Sequence, residues 1–305
     1  MTGAAGEDEA GIEISTSRRG IRAWLAVALR GMAMGIAELV PGVSGGTIAF
    51  VTGIYEELIG TLAGLQPSGL VMLRREGLRR FWIAHNLGFL LALGLGMVAA
   101  VVTFARLLEY LLDQVPTVVW AFFFGLIAAS VVHIGRYRRL GQLAGLGLLG
   151  AVLAFAVLQL GFRDGPAPLW MFFVGGMVAV SAWLLPAVSG SFLLLVLGLY
   201  EPVLRAFNAG QWVIPLALGL GCVVGLLAFS RFLHWLMIRH REPMLATLTG
   251  FMAMSLMKLW PWQHGDVLLS PAGYQAITGL PPLVVPALGA VLLGILTLWL
   301  LSRLE

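Results

Sequence analysis

The chain has 305 residues, 59% of them hydrophobic and only 11% charged, where soluble domains carry roughly a quarter charged residues. So few charges cannot cover a water-soluble surface of this size, which excludes a soluble fold and makes lipid the solvent. The net charge of +4 is no nucleic-acid footprint, because the basic residues sit at the ends of apolar runs.

Residues 1–20 are expected to be a cytoplasmic, disordered tail. Glu7, Asp8, Glu9 and Glu13 make it acidic, unlike the basic start of a secretory signal. The apolar region 23–65 follows. Pro41-Gly42 interrupts it, so it reads as two half-helices meeting at a non-helical tip. Residues 70–82 (LVMLRREGLRRFW) read as one basic amphipathic helix on the membrane surface. Runs long enough to cross a bilayer come next, at 85–107, 116–134 and 141–161. A second interrupted region, 168–207, breaks at Pro186, and three more spans lie at 212–236, 243–260 and 282–302. Thirteen of the nineteen basic residues fall on one side of this arrangement, among them Arg19, Arg74, Arg75, Arg80, Arg139 and Arg241. That bias places both termini in the cytoplasm.

The sequence also repeats itself. Residues 38–58 (ELVPGVSGGTIAFVTGIYEEL) align with 183–203 (WLLPAVSGSFLLLVLGLYEPV) at a constant offset of 145. Pro41 pairs with Pro186, Ser44 with Ser189, Gly45 with Gly190, Gly53 with Gly198, Tyr55 with Tyr200 and Glu56 with Glu201. FFFGLIAASVVH (122–133) likewise matches TLTGFMAMSLMK (247–258), pairing Gly125 with Gly250. The expected fold is therefore an all-α integral membrane protein of two repeats, 21–161 and 162–305. Each repeat is a broken or re-entrant hairpin plus three spans. Three is odd, so the second repeat enters the membrane from the opposite face, an inverted repeat of the transporter kind.

At both tips Ser-Gly precedes a half-helix. Ser caps it, Gly admits close approach, and the first turn offers unpaired N–H groups to an anion. Ser44, Gly45, Gly46 and Thr47, with Ser189, Gly190 and Ser191, are the expected phosphate-binding groups. Arg30 and Glu38 lie in the first hairpin, where charge is costly. Arg30 either neutralises a phosphate or pairs with Glu38, and Glu38 either serves that pair or carries a proton. Lys258 snorkels to the interface or contacts a headgroup. Glu56 and Glu201 read as interfacial. Cys222 has no partner for a disulfide, the five His show no ligand spacing, and there is no nucleotide-binding loop. No metal, no cofactor and no catalytic residue is expected. A small-anion or ion channel using the same tips, and a membrane scaffold, are the rival classes.

The segments GIAELVPGVSGGTIAFVTGIYEEL (35–58), LLPAVSGSFLLLVLGLYEPVL (184–204) and SLMKLWPW (255–262) resemble the bacterial undecaprenyl phosphate translocase family, long catalogued as a membrane family of unknown function. The resemblance covers nearly the whole chain after the tail. It implies that the substrate and partner is undecaprenyl phosphate, flipped from the outer to the cytoplasmic leaflet of the plasma membrane so that the lipid carrier is recycled. The family's first tip motif falls on Pro41 to Gly46 and its second on Pro186 to Ser191. Ala187 replaces a Gly there, and Met254 and Met257 depart from the pattern around Lys258.

Overall fold

The computed structural model describes residues 19–39, 44–66, 69–135, 143–149, 152, 167–186, 188–264 and 267–301. The acidic tail, the first tip's Pro41 and Gly42, Ala187, and most of the third span expected at 141–161 lie outside the described residues. Among those described the chain is almost wholly helical. The departure is one antiparallel pair of two-residue strands, Gln263–His264 against Val267–Leu268.

The first interrupted region holds three helices rather than two: α1 (Ile21–Glu38), α2 (Gly45–Val51) and α3 (Tyr55–Gly64). The added break has a local cause. Gly53 takes a positive φ of 73°, its N–H bonds to the Phe50 carbonyl, and the Ile54 N–H reaches back to Ala49 at 3.0 Å. This is a Schellman ending, which satisfies the last carbonyls of α2 and turns the chain. A first surface pair follows, α4 (Gly69–Glu76) and α5 (Leu78–Ala84). The single amphipathic helix expected at 70–82 is divided there, because Gly77 adopts φ 84°.

Two long helices, α6 (Leu87–Gln114) and α7 (Pro116–Gly135), match the first two full spans. The second interrupted region repeats the first: α8 (Leu169–Leu184), α9 (Gly190–Val196) and α10 (Tyr200–Asn208). Gly198 has φ 69°, and Gly198 and Leu199 donate to Leu195 and Leu194, the same ending 145 residues on. Then α11 (Val213–Ser255) runs for 43 residues but leaves helical geometry at His240, φ −138° and ψ 46°. Pro243, which has no N–H to donate, follows three residues later. The break makes two arms of α11, as the spans at 212–236 and 243–260 required. Helix α12 (Pro271–Thr278) was not anticipated. Its signals were legible: Ser270 caps it by accepting from Gly273 at 3.1 Å, and Gly279 ends it at φ 71°. Helix α13 (Val284–Leu301) closes the chain.

Helices α6, α7 and α11 are long and apolar enough to cross a membrane, with α8 and α13 as shorter apolar helices. Their outward faces carry large apolar side chains, such as Val102 at 79% and Val285 at 80% exposure. Water as solvent would charge each such side chain roughly 1.5–3 kcal/mol, whereas lipid does not. This is a membrane protein.

Glycines set the closest crossings. A Cβ on Gly31 would strike the Leu93 carbonyl, and one on Gly96 the Ala28 carbonyl, where α1 crosses α6. In the second repeat a Cβ on Gly176 meets the Leu218 carbonyl and one on Gly221 that of Phe173, where α8 crosses the first arm of α11. Small residues at these points let two backbones touch. Between repeats, Gly125 of α7 lies against Val291 of α13, and Gly250 in the second arm of α11 against Gly147 in the π-helical turn Leu143–Gly147. Thus α7 packs on α13, and the second arm of α11 on the Leu143–Gly147 turn. The largest core cluster draws Met34, Ile48, Tyr55, Phe89, Ile127 and Leu184 together around α1, α2 and α3.

Candidate functional site

The site is built where α2 begins. Ser44 is its N-cap in extended geometry, and its hydroxyl oxygen accepts from the Gly46 N–H at 3.2 Å. The Thr47 N–H bonds to the Ser44 carbonyl at 2.9 Å. Gly45 donates its N–H to Oε1 of Glu38 at 2.5 Å. Ser44 and Thr47 are both buried to 1% exposure. The sequence led us to expect unpaired N–H groups here. Instead the first turn is satisfied internally, because buried backbone donors must find acceptors and Glu38 supplies one.

The same carboxylate oxygen accepts a second bond, from the Trp183 indole N–H at 2.7 Å. Trp183 lies in the last turn of α8, where helix carbonyls lack partners. Two are met from α2 and α3: the Ser44 hydroxyl donates to the Trp183 carbonyl at 3.4 Å and the Tyr55 hydroxyl to that of Leu184 at 2.8 Å. A Cβ on Gly46 would lie 2.7 Å from the Trp183 carbonyl, so the two segments meet backbone to backbone. Glu38 is nonetheless exposed. The arrangement is thus two N–H donors, one from each repeat, converging on one oxygen of an accessible anion.

The model of the VCA0040-like family, described as undecaprenyl phosphate translocase-like, matches residues 34–274. The chain belongs to that family. A polyprenyl-phosphate transporter of Vibrio cholerae serotype O1 (strain ATCC 39315 / El Tor Inaba N16961) is 41% identical over 244 residues, 79% of this chain and 79% of that one. A polyprenyl-phosphate transporter of Staphylococcus aureus (strain NCTC 8325 / PS 47) is 32% identical over 272 residues, 81% of this chain and 89% of that one. No solved structure matches the chain significantly.

Within this family member the expected site residues divide into groups. Ser44, Gly45, Gly46 and Thr47 stand together with Glu38. The second tip is more open: Ser189 and Ser191 share a hydroxyl–hydroxyl bond of 3.0 Å, and Ser191 is exposed. A Cβ on Gly190 would meet the Ala179 carbonyl. The first tip's Ser44 and Gly46 meet Trp183, and Tyr55 meets Leu184, at the end of α8. Arg30 is eight residues before Glu38, about 12 Å along the helix axis. It lines a cavity with Thr52, Glu56 and Arg241 at the other end of α2. Lys258 follows α11, and its carbonyl accepts from the Gln263 amide at 2.9 Å. Beside it the Trp260 and Trp262 indoles donate to the Leu269 and Pro282 carbonyls.

Two residues went unrecognised in the sequence, and a third has a partner the sequence did not name. Trp183 was seen only as the aligned counterpart of Glu38, yet it is its partner. Tyr55 was seen only as paired with Tyr200, yet it is buried against α8. Glu56, expected at the interface, binds Arg241 through Nε at 3.0 Å and Nη2 at 2.7 Å. Among the described residues, no group of three His, Cys, Asp or Glu is placed to hold a metal.

Proposed function

We propose that the chain translocates undecaprenyl phosphate, returning it from the outer to the cytoplasmic leaflet of the bacterial plasma membrane. Both termini are cytoplasmic in this reading, and the two repeats are inverted, with their hairpins entering from opposite faces. The phosphate is held by Ser44, Gly45, Gly46 and Thr47, then by Ser189, Gly190 and Ser191. The polyprenyl tail stays in lipid while the head crosses.

One observation carries the reading. Gly45 N–H and the Trp183 indole already hold an anionic oxygen, that of Glu38, at the join of the repeats. A phosphate offers the same acceptor with more charge, and charge-assisted bonds of this kind are the stronger ones. Phosphate arrives by displacing the carboxylate, and Glu38 takes up a proton as it leaves, which couples transport to the proton gradient. The names of the relatives agree with the substrate class.

The test is flipping of labelled undecaprenyl phosphate in reconstituted vesicles. Ser44→Ala and Glu38→Ala are expected to slow it by about tenfold or more, the effect of roughly 1.4 kcal/mol at the limiting step. Wild-type rates in both variants remove the tip from the mechanism. Chloride flux without lipid movement would assign the protein to the channel class instead.

A further inference from the structure

Helices α4 and α5 turn at Gly77 and fold back on one another. A Cβ on Gly69, the first residue of α4, would lie 2.7 Å from Nε2 of His85 and 3.0 Å from the Phe81 ring. The Phe81 and His85 rings pack with centroids 4.3 Å apart, and Nδ1 of His85 lies 2.9 Å from the Phe81 carbonyl. These contacts close the pair at its base. The turn at its other end gathers charge. Arg74 and Arg75 stand just before Gly77, Arg79 and Arg80 just after it, and all four are exposed. Glu76 is the one acid between Gly69 and Ala84, and it accepts from Arg80 at 3.2 Å. Among the described residues no other carboxylate reaches the four arginines. The pair carries a formal charge of +3, four arginines against one glutamate.

Apolar side chains are exposed beside that charge. Leu78 and Trp82, one turn apart on α5, and Ile83 are 65%, 39% and 51% exposed. Helix α5 leads directly into α6, which is long and apolar enough to cross a membrane. Cations and uncovered apolar groups therefore sit together at one end of a span, at the height of the lipid headgroups.

We propose that α4 and α5 form a docking surface for anionic phospholipids of the leaflet in which α6 begins. Two features select this occupant. Four guanidinium groups around one turn complement a layer of phosphodiesters, and each arginine near an anionic surface strengthens association by roughly fivefold. Leu78, Trp82 and Ile83 suit the acyl boundary beneath that layer, which the polar surface of an acidic soluble protein does not offer. Docking also reaches the interior. Asn86, the next residue but one after α5, donates to Glu57 at 2.7 Å and to Thr61 at 3.2 Å, both on α3. Anionic lipid thus steadies the start of α6 and α3 together. The surface stands whether or not the headgroup crosses at the tip.

Hydrogen–deuterium exchange of the full chain tests this, in nanodiscs of phosphatidylcholine alone and of phosphatidylcholine and phosphatidylglycerol in equal parts. Amides of residues 69–86 are expected to exchange about tenfold more slowly in the anionic discs, and the difference is expected to shrink as salt is raised. The quadruple variant Arg74→Gln, Arg75→Gln, Arg79→Gln and Arg80→Gln is expected to lose the difference, while Lys at the same four positions keeps most of it. Equal exchange of the wild-type chain in both discs overturns the proposal; a purely structural pair, or a surface for an acidic protein, predicts that result. A difference that persists undiminished at high salt overturns it as well. The salt arm uses the wild-type chain, so it decides the matter even where the Gln variant misfolds and α6 loses protection. Slowing that undecaprenyl phosphate produces in neutral discs, and phosphatidylglycerol does not, overturns the assignment to bulk phospholipid.

Discussion

A single carboxylate oxygen ties the two repeats. Glu38→Gln keeps that acceptor for Gly45 and Trp183 but cannot ionise. It is expected to change stability by no more than about 1 kcal/mol while flattening the pH profile of lipid-phosphate flipping in vesicles. An unchanged profile would rule out Glu38 as the proton carrier. Trp183→Phe acts on the opposite partner, removing a donor to a charged group, and is expected to lower stability by roughly 1.5–3 kcal/mol in detergent melts. Of this site, the sequence made the acid legible, because charge inside an apolar run is conspicuous. The indole was illegible, since Trp in a membrane helix ordinarily reads as an interface anchor. Yet the two residues are separated by the repeat offset itself.

Helix ends and crossings carry the next level. The prolines announced one break in each hairpin, but the Gly53 and Gly198 breaks were not anticipated, although both glycines stood in the alignment. A glycine inside an apolar run reads equally as a packing contact, and only the reach-back bonds from Ile54 and Leu199 distinguish a turn. Gly53→Ala forces a Cβ into φ 73° and is expected to cost about 1–2 kcal/mol. At the crossings the demand is for space. Gly31→Val and Gly176→Val should each separate a helix pair, α1 from α6 and α8 from α11, at about 1–3 kcal/mol or more. Thermal unfolding of the purified variants measures both. Equal stability in Gly176→Val would mean that α8 tolerates a wider crossing than its contacts with Leu218 and Cys222 suggest.

Seen whole, the molecule is interlocked. The crossing of Gly125 with Val291 joins α7 to α13, and that of Gly250 with Gly147 joins the second arm of α11 to the Leu143–Gly147 turn, each linking one half of the sequence to the other. Neither repeat can bury its helix faces alone. Chains split near residue 161 and expressed together are expected to copurify, and either piece expressed singly to be degraded; a stable lone repeat would contradict the interlock. The apolar lengths of α6, α7 and α11 were readable in the sequence, because lipid leaves the pattern unbroken. Which span packs on which was not, since small-residue stripes recur on most of these helices. The contact between Glu38 and Trp183 reaches further still. On a two-fold axis of a symmetric dimer, a residue meets its own copy. A duplicated ancestor with acid at this position would have set carboxylate against carboxylate, and one with indole would have set donor against donor. With both positions in one polypeptide the two can differ, so that a single acid faces a single donor across the join.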